Sequence, residues 1–290
     1  MPSGTNMRSV QAHFLPDLTT PEALAGGTVV VIDVLRASTV IVHALAAGAC
    51  EVIPCLEIED ARQVAARLPK GQAILGGERG GLPIDGFDLG NSPGECTAER
   101  VSGKTVVFTT TNGTRAMQHC RQAERVLIGA LVNASAVVAA LSADDHVHLL
   151  CAGTRGEITR EDVLVAGLLA DRLLTTSASS ALPAEMGPVV PALVAGRSGG
   201  AAIDVATTRH KAESYLNDEA RIARDCYLSS APSAGANAQI AVELGRHLRQ
   251  TQGGRNLIAL GLERDIDEAA QIDRFAIVPR LDVKRWSITM

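Results

Sequence analysis

A chain of 290 residues with 46% apolar side chains is long enough to bury a full core, as one large α/β unit or two small ones. Its formal charge of −5, from 27 basic and 32 acidic residues, provides no excess positive field for a polyphosphate backbone and argues against nucleic acid as a partner. Aromatics make up only 2%, so the core is aliphatic, as expected where helices cover Val-rich strands.

The first ten residues lack a charged start followed by an apolar run, so no export signal is expected. The six cysteines show no C-x-x-C spacing and read as free thiols in a reducing compartment, which points to the cytoplasm. Val/Ile/Leu-rich runs at 28–32, 52–56, 73–76, 105–108, 126–128 and 147–151 predict strands. Helical patterns follow at 39–47, 59–68, 114–120, 134–141 and 161–174. This alternation predicts an α/β fold with strands covered on both faces. The uncharged stretch 126–143 carries Asn133, Ser135 and many alanines, which fits a buried strand plus helix better than a membrane span. Residues 175–208 are rich in Ser, Ala, Gly and Pro with little periodicity and read as a long surface excursion within a single domain. Further helices are expected at 213–227 and 240–250, and the segments 257–262 and 266–272 close the domain.

In open α/β folds the functional groups collect where strands give way to loops. Four strand ends here are polar in the same way. After 28–32 come Asp33, Arg36, Ser38 and Thr39, where a helix must begin and its free amides suit an anion. The second loop flanks Glu78 and Arg79 with glycines and continues through Asp85, Asn91 and Ser92; its carboxylates and Asn suit a hard divalent cation such as Mg2+. The third presents Thr110, Thr111, Asn112, Thr114 and Arg115, a dense array of donors for an oxyanion. The fourth carries Thr154, Arg155 and Glu157; the Glu161 and Asp162 that follow fit the positive end of the next helix. For each loop an ordinary helix cap or turn is the competing reading, and one hydroxyl or carboxylate would satisfy it.

Several phosphatase chemistries fail on spacing. A haloacid-dehalogenase site needs a second Asp two residues after the nucleophile, where Leu35 stands after Asp33. A Cys-x5-Arg loop is absent, since Arg155 lies only four positions beyond Cys151, and no G-x-x-x-x-G-K-[ST] loop occurs. Metal-assisted attack by water, with arginines neutralising the phosphoryl group, remains.

The strings VVIDVLRAST, LGGERGGLPIDGFDLGNSP, GKTVVFTTTNGTRA, VLIGALVNASAV and LLCAGTRGE resemble the motifs of the 2-phosphosulfolactate phosphatase (ComB) family in order and spacing. The match resumes at 217–220, 253–257, 265–267 and 278–279. The resemblance implies a three-layer α/β/α sandwich with a mostly parallel or mixed central sheet. It also implies Mg2+-dependent hydrolysis of (2R)-2-phospho-3-sulfolactate to 3-sulfolactate and phosphate, on a route to coenzyme M. From their positions in these motifs, Asp33 and Glu78 are expected to contact the metal. Asp85 and Glu157 are candidates for a third ligand or the base that orients water, and Arg36, Arg79, Arg115 and Arg155 for the substrate's anionic groups. A phosphatase of another small phosphorylated acid and a non-catalytic binder of such acids are the alternatives. The apolar excess admits a homodimer, and no membrane partner is expected.

Overall fold

Val-rich strands form because β-branched side chains pack well on a pleated surface, and here they pair into one mixed sheet. The computed structural model describes residues 9–180, 215–230 and 237–290. Strands β1 (Ser9–His13), β2 (Thr28–Ile32), β7 (Arg125–Gly129) and β8 (His146–Cys151) make a parallel block in the order β1-β8-β2-β7. A second block holds β3 (Glu51–Cys55), β6 (Thr105–Thr109) and β4 (Ala73–Arg79), also parallel, with β5 (Leu82–Pro83) folded back antiparallel on β4. The hairpin of β9 (Arg280–Asp282) and β10 (Ser287–Thr289) joins the blocks through antiparallel pairs with β7 and β3. Ten strands result.

Ten helices accompany them among the described residues: α1 (Ala37–Ala46), α2 (Ile58–Arg67), α3 (Ala98–Val101), α4 (Gly113–His119), α5 (Ala134–Ala140), α6 (Arg160–Ser180), α7 (Asp218–Leu228), α8 (Asn237–Gln250), α9 (Gln252–Ala259) and α10 (Glu263–Ala269). Alternate residues of β2 show the layering. Val30 and Ile32 enter one core with Leu169 of α6, Ala223 of α7 and Ile266 of α10. Val29 and Val31 enter another with Ile41 of α1 and Met117 of α4. A strand buried on both faces needs a continuous apolar run, which is why Val29–Ile32 carries no alternation. Each fully buried Val or Leu stabilises the fold by about 1.5–3 kcal/mol. The three-layer α/β/α arrangement with a mixed sheet is the expected one.

Gly167 lets α6 and α7 touch backbone to backbone, since a Cβ there would lie 2.0 Å from the Ala223 carbonyl oxygen. The 126–143 stretch is β7 followed by α5, as expected, and among the described residues no helix is long and apolar enough to cross a membrane. Helix α6 continues to Ser180, so residues 175–180 of the expected excursion are helical instead, and 181–208 lie outside the described residues. Strands β1, β9 and β10 have no counterpart among the sequence expectations, and 257–272 forms parts of two helices.

Candidate active-site cleft

The loops after β2, β6 and β8, the end of β4 and helix α9 surround one cleft of about 460 Å3. Asp33 stands directly after β2 and its carboxylate Oδ1 accepts from the Ala37 amide at 3.2 Å, at the start of α1. Burial pushes its pKa from 3.8 up to about 7; the Ala37 hydrogen bond opposes this, while the charges of Glu78 and Glu161 add to it and Arg36 counters them.

Glu78 lies on β4 rather than in a tight loop, because β5 folds back onto the strand end and extends it to Arg79. Its Oε1 accepts from both the amide and the hydroxyl of Thr111 at 2.9 Å, and its Oε2 from the Gly81 amide at 2.7 Å. Thr111 thereby links the second and third loops. Gly77, at φ +146°, permits this: a Cβ there would meet the Thr109 carbonyl oxygen at 2.0 Å. The Arg79 guanidinium donates to the carbonyls of Glu78 and Leu56 at 2.8 Å and to Thr109 Oγ1 at 3.0 Å, which fixes its orientation on the cleft wall. Arg36 donates to Asp265 Oδ2 at 2.7 Å and to the Gly81 carbonyl at 2.8 Å. Arg155, exposed and held at φ 55°, donates its amide to Asn112 Oδ1 at 3.0 Å and so joins the third and fourth loops. Asn91, Thr110 and Thr154 complete the expected residues on the wall.

The other expected residues stand off it. Ser38 Oγ accepts from the Asp33 amide and donates to the Val31 carbonyl, and Thr39 Oγ1 donates to the Val34 carbonyl; both hydroxyls tie the first turn of α1 back to the end of β2 and its loop. Thr114 exchanges hydrogen bonds with Thr110 at the start of α4. Ser92 Oγ donates to Asp265 Oδ1. Arg115 is exposed and pairs with Asp17 at 3.5 Å on the far side of the Asn112 loop. Asp85 and Glu157 are exposed and outside the cleft wall; Glu157 accepts from Gln252 Nε2 at 3.2 Å, and the Asp85 carbonyl from Arg62.

Three carboxylates have larger parts than their sequence context showed. Glu161 and Asp162 do more than face a helix dipole: each is only 2% exposed. Asp162 accepts from the amides of Val34 and Gly153 and from the Thr159 hydroxyl, locking the loops after β2 and β8 together. Burial raises its pKa well above the usual range, with further upward pushes from Asp33 and Glu161. Glu161 Oε1 accepts from the Gly253 amide at 3.0 Å, and burial raises its pKa too. The third is Asp265, on α10. The clue in sequence was two adjacent acids opening an otherwise apolar helix; Asp265 offered only its place in a matched string.

The donors fit a hard cation. Asp33 and Glu78 both line the cleft, and Asn91 Oδ1, also on its wall, is buried without a hydrogen-bond partner. Among the described residues no three His, Cys, Asp or Glu side chains converge as a metal cluster, so a cation here would rest on one or two carboxylates and keep waters, as Mg2+ does.

Fold and site together define an α/β protein with a strand-end cleft that combines carboxylates with arginines, suited to a small anionic ligand. Residues 13–284 match the family model described as 2-phosphosulpholactate phosphatase. The chain belongs to the 2-phosphosulfolactate phosphatase family. Proteins described as "Probable 2-phosphosulfolactate phosphatase" are 37% identical in Symbiobacterium thermophilum (89% of this chain, 92% of the relative) and 34% identical in Deinococcus radiodurans (94% and 92%). One from Caldanaerobacter subterraneus subsp. tengcongensis is 47% identical over 146 residues, half of this chain; the match spans only 61% of that relative's length.

Proposed function

We propose that this protein hydrolyses 2-phospho-3-sulfolactate to 3-sulfolactate and phosphate with the help of Mg2+ held at Asp33 and Glu78. The observation that carries this is the pairing on one cleft wall of a buried carboxylate, Asp33, with three arginines from three different loops. Phosphate, sulfonate and carboxylate on a three-carbon skeleton need several separated cationic contacts, and Arg36, Arg79 and Arg155 supply them. Arg36 and Arg79 are oriented in advance by their carbonyl and carboxylate partners, so little side-chain freedom is lost on binding. Arg155 is exposed at the rim and suits first capture of the incoming anion.

Mg2+ bound here supplies Lewis-acid polarisation of the phosphoryl oxygens. The Asp33 carboxyl, with its pKa near 7, holds a proton in the cation-free protein near neutrality and releases it when the site is loaded. The Thr111 amide and hydroxyl and the Gly81 amide hold the Glu78 carboxylate in place by donating to its oxygens. Leu257 and Leu260 form an apolar part of the wall that limits water around the ester.

The test is phosphate release by the full chain from racemic 2-phosphosulfolactate, with Mg2+ and with excess chelator, beside phosphoglycerate, phospholactate and p-nitrophenyl phosphate. Mg2+-dependent turnover of the sulfonate above the others supports the reading. Preference for phosphoglycerate moves the substrate, and tight binding without turnover of any ester identifies a binder.

A further inference from the structure

Arg36 and Asp265 are 229 residues apart in sequence, yet their charged groups meet at 2.7 Å with side chains only 3% and 4% exposed. A buried ion pair is often no more stabilising than apolar residues of the same volume. Stability therefore does not explain why charge is kept here, whereas direction does. The Arg36 guanidinium is pinned at both terminal nitrogens, by Asp265 and by the Gly81 carbonyl, so its plane is set where it lines the cleft. The second carboxylate oxygen of Asp265 takes the Ser92 hydroxyl, next to Asn91, whose buried carbonyl oxygen lacks a partner. Asp265 itself is rigidly mounted, because its neighbours Ile266 and Ala269 on α10 are fully buried in the core.

We propose that Asp265 is a positioning residue that aims Arg36 into the anion cleft, with its own carboxylate held by Ser92. It links α10, which the family motifs place far along the chain, to loops after β2 and β4. The proposal deepens the anion-binding reading of the cleft and rests on it. Asp265 stands off the cleft wall and acts through Arg36, which lines it. An asparagine at this position that keeps its oxygen toward Arg36 turns an NH2 toward Ser92, so the guanidinium loses its charged partner and the Ser92 hydroxyl loses its acceptor.

The test is a double-mutant cycle on the full chain, reading the affinity for inorganic phosphate by calorimetry in wild type, Asp265→Asn, Arg36→Gln and the double variant. Groups that act as a unit couple by roughly 0.5–3 kcal/mol, which corresponds to about 2–150-fold in affinity. Asp265→Asn is expected to shift phosphate affinity about fivefold or more when Arg36 is present and less than about twofold when it is Gln. With a phosphoester, kcat is expected to fall about 100-fold, as for a misplacement near 1 Å, with a smaller change in KM. Equal shifts in both Arg36 backgrounds overturn the proposal, since Asp265 would then act only on the fold. If Asp265→Asn loses its native melting transition, Asp265→Glu carried through the same cycle decides by the same criterion. Phosphate binding with no ester turnover refutes the phosphatase reading alone, and wild type that binds no phosphate refutes both.

Discussion

Replacing Asp33 by Asn should make the cation-free protein more stable while removing its activity. The folded carboxyl keeps its proton up to about pH 7, whereas its ordinary value is 3.8. Between these values the folded state binds more protons than the unfolded state, so this group's contribution to stability falls as pH rises. At 1.36 kcal/mol for each tenfold change, the penalty reaches ~4 kcal/mol at and above neutrality and only ~2 kcal/mol at pH 5. Asn has nearly the same shape, retains an oxygen to accept the Ala37 amide, and does not ionise. Urea denaturation in excess chelator at pH 5 and pH 8 should therefore show Asp33→Asn more stable than wild type, with the larger gain at pH 8. Asp162 is relieved of the Asp33 charge in the variant, which adds to the gain at the higher pH, and groups that do not interact with Asp33 cancel in the difference. A gain of the same size at both pH values, or a loss at pH 8, would refute the account of Asp33 as a carboxyl strained by burial and by its acidic neighbours.

Three further outcomes follow from named contacts. Gly77→Ala should destabilise the protein by about 1–3 kcal/mol or more in thermal denaturation, because its Cβ would meet the Thr109 carbonyl at 2.0 Å, and should weaken phosphate binding through the adjoining Glu78; a native-like Tm would contradict the close approach of β4 and β6. Asp85→Asn and Glu157→Gln should each leave kcat within about twofold, as exposed changes away from special features usually do; a loss like that of Asp33→Asn would place them in the site. His13 Nε2 and His148 Nδ1 lie 3.0 Å apart, and both pKa values are lowered to about 4, chiefly by burial, with the charges of His119 acting on His13 and of His13 and His146 on His148. The pair is neutral when folded, so its contribution is intact above pH 6.5 and is lost as pH falls toward 4; His13→Gln should flatten the acid limb of a Tm-against-pH curve, and an unchanged limb would contradict this.

Asp33, Glu78 and the arginine loops were legible in sequence because strand ends are read locally: an apolar run, then glycines, hydroxyls and charges within a dozen residues. The same local reading overcounted. Ser38, Thr39 and Thr114 have the same chemistry as Thr110 and Thr111, and only the folded turns at the start of α1 and α4 commit their hydroxyls to the Val31 and Val34 carbonyls and to Thr110. It placed Glu161 and Asp162 correctly at the start of α6 but did not show that they are buried, since burial depends on which elements pack above them.

The sequence by itself determined the α/β class, the strands of both parallel blocks except β1, and the approximate position of each polar loop, because hydrophobic periodicity and turn chemistry act over neighbouring residues. Strands β9 and β10 are three residues each, too short for a periodic signal, yet their pairing joins the two blocks. The Arg36–Asp265 pair, the Thr111–Glu78 clasp and the Asp162 lock between the loops after β2 and β8 were decided only in the tertiary structure. Their long-range links join groups 33, 128 and 229 residues apart, and a charge far away in the chain acts on its partner only once folding has removed the water between them.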